Sequence, residues 1–163
     1  MIFVRCMLFS VVAMMLMLAH AEPTLDERIP LQWQKNKVTE IRKFADECKK
    51  VLDEFGAETE TDGARPKDVL LLKARFNEIR KKAIPFIEST NFDAQHRFPG
   101  NPFCINGIKS FQPVLEKLKQ NEVSVMGALF GYNHSVLIGC AMTPKTVEAF
   151  QKLEEMRKLK AQQ

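Results

Sequence analysis

Histidine, tryptophan and tyrosine are nearly missing from this chain of 163 residues, at three, one and one. With His20 inside an N-terminal apolar segment, only His96 and His134 remain for metal or proton chemistry. Set beside Cys104 and Cys140, they lack the closely spaced ligand pairs that zinc sites use. No signature of a thiol nucleophile surrounds Cys48 or Cys104, and a thiol held in a bridge cannot attack. Glycine is scarce as well, at seven residues. No glycine-rich phosphate loop, Gly-x-Ser-x-Gly elbow, His-Glu-x-x-His helix or calcium loop is present. These absences argue against an enzyme and against any metal or cofactor. The net charge of +4 is too balanced to imply a nucleic-acid partner.

What is present begins with a secretory signature over residues 1–21. Arg5 is its only charge, an apolar run spans Met7 to Leu18, and Ala19-His20-Ala21 puts small residues at the two positions a signal peptidase reads. Cleavage before Glu22 leaves 22–163 as a single domain, secreted and extracellular, long enough to bury a core. An oxidising compartment then holds Cys48, Cys104 and Cys140. Cys48 falls on the apolar stripe of a helix, so the expected bridge is Cys104 to Cys140. The odd cysteine is then a buried thiol in a monomer or a link in a disulfide-bonded dimer.

Along the mature chain the apolar period is helical throughout. Val38, Ile41, Ala45, Cys48, Leu52 and Phe55 recur at three- and four-residue steps from Leu31 to the stop at Gly56. After a polar linker, Val69, Leu72, Phe76, Ile79, Ala83 and Phe86 or Ile87 mark a second helix that starts at Pro66 and is kinked or ended by Pro85. From Ser89 to Gly107 the period disappears, which predicts a long irregular segment whose Phe92, Phe98 and Phe103 tuck onto the body and cap the core. Ile108, Phe111, Val114, Leu115 and Leu118 give a short third helix. Thr143-Pro144 opens the last one, expected to bury Val147, Phe150, Leu153 and Leu159.

Between these lies Val123 to Met142, free of Asp, Glu, Lys and Arg. A segment apolar on all sides must be covered by protein or lipid. The preferred reading is a buried central helix, broken near Gly131, within an all-α compact bundle of about five helices. A β-hairpin turning at Gly131 to His134 and a single membrane span over 123–142 are the rivals. Asn133-His134-Ser135 is an N-glycosylation sequon, which needs Asn133 at the surface.

Twelve phenylalanines, two of them in the signal, make the interior apolar without polar handles. Two uses fit a small secreted bundle of this kind. One is an extracellular carrier of an apolar small molecule or lipid, lined by Phe44, Phe76, Phe111, Phe130 and Phe150. The other is an effector or signalling protein that meets a protein partner through its surface, with Arg80, Lys81 and Lys82 as a basic face. The plain reading of those charges is a solvated face paired with the acidic end of the first helix.

Overall fold

The computed structural model describes residues 25–60 and 66–161; residues 1–24, which include the expected signal, residues 61–65 of the polar linker, and residues 162–163 lie outside the described residues. Five helices are present and no strand among those residues. They are α1 (Leu25–Phe55), α2 (Pro66–Arg97), α3 (Pro102–Lys119), α4 (Val125–Cys140) and α5 (Pro144–Ala161). No single one is long and apolar enough to cross a membrane, and Cys104 and Cys140 form the disulfide, 36 residues apart in sequence.

The charge-free stretch is α4, a helix with one π turn at Asn133–Leu137, so the hairpin is excluded. It packs against α1, α2 and α3 through Val125, Ala128, Leu129, Tyr132, Val136, Leu137 and Cys140, all buried. Its small residues face α3. A Cβ on Gly107 of α3 would overlap the Ser135 carbonyl oxygen, and one on Gly139 of α4 would lie 2.8 Å from the Phe103 carbonyl oxygen. The two backbones therefore meet where only glycine fits, and the disulfide closes the same junction with its Cα atoms 4.1 Å apart. One side of α4 remains uncovered, however. Met126, Phe130 and Ile138 point outward at 39%, 67% and 41% exposure, so the helix is not surrounded on every face.

The expected irregular segment at 89–107 is largely helical. α2 runs on to Arg97, and α3 starts at Pro102, earlier than Ile108. The buried stripe continues through Ile87, Thr90 and Ala94, and the polar residues that mimic a loop are held by distant partners. Tyr132 donates its hydroxyl to Asn91 Oδ1 at 2.8 Å, and the Trp33 indole N–H donates to Asp93 Oδ2 at 2.7 Å. Pro30, Pro85 and Pro113 all lie inside helices. The carbonyls that Pro85 and Pro113 leave without a donor belong to Lys81 and Lys109, both on exposed positions where water can take the bond. Likewise α1 starts at Leu25 and takes in Pro30, ahead of the expected start at Leu31.

Trp33, Asp93 and their neighbours brace α1 to α2. Phe98 packs edge-on to Trp33 at 5.2 Å, while Arg97 and Lys37 approach the Asp93 carboxylate at 2.6 and 3.7 Å. Burial pushes the Asp93 carboxyl up, but the indole, Arg97 and Lys37 outweigh it and hold the group below its ordinary value. Such a carboxylate contributes stability above its unfolded pKa and loses that contribution as pH falls through the folded one. Emission of the single tryptophan is therefore expected to stay constant through mild acid and to change only below pH 3.8. Asp93→Asn should remove that step, and a step at higher pH in the parent protein would contradict the assignment.

Candidate functional site

Among the described residues, the least covered helix is α5. Thr143 opens it, its Oγ1 accepting from the Thr146 amide at 3.3 Å, and the helix turns away from α4 by 92°. Only Val147 is buried. Phe150, Leu153, Met156 and Leu159 stand 46%, 47%, 52% and 62% exposed, which corrects the expected burial of Phe150, Leu153 and Leu159. The reason is geometric. A spacing of three residues at every step winds around a helix of 3.6 residues per turn and holds no single face.

At its root α5 is tied in by Asn101. The Asn101 Oδ1 caps α3 by accepting from the Phe103 and Cys104 amides at 3.0 and 3.2 Å. Its Nδ2 donates to the Gly139 and Met142 carbonyls at 3.1 and 3.3 Å. One side chain thus joins the start of α3 to the end of α4, and the first turns of α5 leave from there.

Two grooves flank this root. One, of about 470 Å³, lies between α3 and α5 and is lined by Phe103, Asn106, Phe150, Leu153, Glu154 and Arg157 among others. The other, of about 400 Å³, lies beside α5 against Phe98, Pro99, Met142 and Val147, with Gln151 lining both. Both are within the size range of small-ligand sites. Phe103 and Phe150 meet across the first at 5.4 Å between ring centroids. Glu154 and Arg157 make no hydrogen bond or ion pair with another described residue. By contrast Glu148, in the second groove, is paired with Lys152 at 2.7 Å.

The five phenylalanines proposed as a lining are not brought together. Phe76 and Phe111 are buried in the core, Phe111 against Tyr132 at 5.0 Å. Phe44 is half-buried against Phe86 at 5.5 Å. Phe130 is exposed on α4, and Phe150 alone of the five reaches the larger grooves.

The basic triplet divides in the same way. Lys81 and Lys82 are exposed and paired with Glu78 and Glu47 at 2.8 and 3.1 Å. Arg80 is buried, so it leaves the face: its guanidinium reaches Glu60 Oε2 and the Val123 carbonyl at 3.4 Å each and donates to Asn77 Oδ1. Glu60 in turn accepts from the Val125 amide at the start of α4, and burial pushes its carboxyl up against the opposing pull of that amide and of Arg80. Cys48 is the enclosed free thiol, raised to about 12 by burial and by Glu60 and Glu47. Asn133 sits half-buried inside the π turn with its Oδ1 enclosed, and His134 and His96 are exposed at separate places, each ring against its own helix.

Two side chains that join helices are not among the residues expected from the sequence, Asn101 and Glu60. Asn101-Pro102 carries a helix-start signature, a capping asparagine before proline, that could have placed the junction. Glu60 as a cap for α4, across 65 residues, left no local trace. Comparison of the chain with protein-family models, with curated proteins and with solved structures yields no match.

Proposed function

We propose that this is an extracellular carrier of an apolar ligand, held at the root of α5 and away from the centre of the bundle. The observation that supports it most is α5 itself, whose apolar side chains remain in water beside two grooves of ligand size. An isolated helix of this length is marginal in water without a packed face, and a ligand along the groove would remove apolar surface from water at about 25 cal/mol per Å². The secretory signature at 1–21 and the disulfide agree with an extracellular site of action. The enclosed Cys48 thiol favours a monomer over a disulfide-linked dimer.

The second reading, a surface that meets a protein partner, is favoured by the outward ridge of Met126, Phe130 and Ile138, more than by the basic triplet, whose members are all paired. Binding of phenylnaphthylamine, which fluoresces in apolar surroundings, separates the two. Phe150→Asp and Leu153→Asp are each expected to weaken the dye by about tenfold, with Phe130→Asp leaving it unchanged. The reverse pattern would move the function to α4.

A further inference from the structure

The groove between α3 and α5 combines apolar and charged side chains. Pro102, Phe103, Phe150 and Leu153 give it apolar surface, Asn106 and Gln151 add polar side chains, and Glu154 and Arg157 are its charged residues. Phe150 and Arg157 are seven positions apart on one helix, about 10 Å along its axis at the usual rise per residue. Arg157 has no partner among the described residues. A guanidinium presents a planar fork that matches the two oxygens of a carboxylate or phosphate, and here it lines the same groove as Phe103, Phe150 and Leu153.

We propose that the groove takes a single-chain amphiphile with an acidic head, its chain on Phe103, Phe150 and Leu153 and its acidic oxygens on Arg157. This rests on the carrier reading. Glu154, also without a partner, lies one turn before Arg157 and opposes a second negative charge, so the head carries a single one. Two sources share that chemistry: a fatty carboxylate, and the phosphodiester of a lysophospholipid, whose cationic end would meet Glu154.

Calorimetric titration of the secreted protein with myristate, tetradecanol and myristoyl lysophosphatidylcholine, each below its micelle concentration, tests it. Myristate is expected to bind more tightly than the alcohol and to weaken with added salt, because a partly exposed ion pair is screened. Arg157→Ala should weaken myristate by about three- to tenfold and leave the alcohol unchanged, Arg157→Lys should retain part of the loss, and Lys158→Ala should change neither. If the lysophospholipid binds best and Glu154→Gln weakens it alone, the head is zwitterionic. Equal binding of myristate and alcohol, both indifferent to Arg157→Ala, would overturn this inference and leave the carrier reading standing. If none of the three binds, the carrier reading falls with it.

Discussion

Gly107→Ala is expected to cost about 3 kcal/mol of stability or more. The added Cβ would overlap the Ser135 carbonyl oxygen and approach the Ser135 carbonyl carbon and Val136 Cα at 3.1 and 3.3 Å. All three atoms are backbone, so no rotamer change relieves the clash and α3 must separate from α4. Separation would uncover Ile108, Phe111 and Tyr132, which are buried at that interface. Urea unfolding followed by Trp33 emission measures the loss. Gly100→Ala is the matched control: nothing lies within 4 Å of its added Cβ, and its stability should equal that of the parent. Equal midpoints for the two variants would show that α3 and α4 do not approach as described.

The second large effect is at the disulfide. Replacing Cys104 and Cys140 together by alanine frees a loop of 36 residues, worth about 4 kcal/mol on the chain-entropy account. Both sulfurs are fully buried, so the two alanines also leave unfilled space and the entropic figure is a lower bound. The same bridge holds the start of α3 against the end of α4, next to Asn101. Its loss should therefore loosen the root of α5 and weaken binding in the groove proposed for the ligand before the core melts. A double variant that unfolds at the parent's urea concentration would contradict this, as would one that weakens while the groove retains full affinity.

How much of this could be read from the chain depended on whether the governing contacts were local. The buried stripe of α2, from Leu72 through Phe76, Ile79 and Ala83 to Ile87, was legible because period and burial coincide. So were the bridge, the free buried Cys48 and the helical start at Thr143. The stretch from Ser89 to Arg97 was not. Its Asn91 and Asp93 read as loop formers, and what makes them helical are Tyr132 and Trp33, 41 and 60 residues away. Arg80 looked like one of three surface cations for the same reason, since its partner Glu60 is supplied by the linker.

The groove was the least legible feature. A periodic series of apolar residues predicts a buried face, and Val147, Phe150, Leu153 and Leu159 formed one on paper. With Met156 filling the gap between Leu153 and Leu159, the spacing is a uniform three, the sign that the series winds around the helix, and it leaves α5 uncovered. The charge-free stretch carried a related ambiguity. Apolar composition over sixteen helical positions required a core location for most of α4, yet composition alone does not say which side stays open, and the outward ridge at Met126, Phe130 and Ile138 emerges only from the packing.

Native mass spectrometry of the gently purified protein tests the proposed carriage of an apolar ligand most directly. The account predicts a mass above that of the bare chain, lost on denaturation, with a single-chain acidic amphiphile recovered in the organic extract and taken up again by stripped protein unless Phe150 is replaced by Asp. A chain that is bare as isolated, and that remains bare when stripped protein is offered myristate, would contradict it.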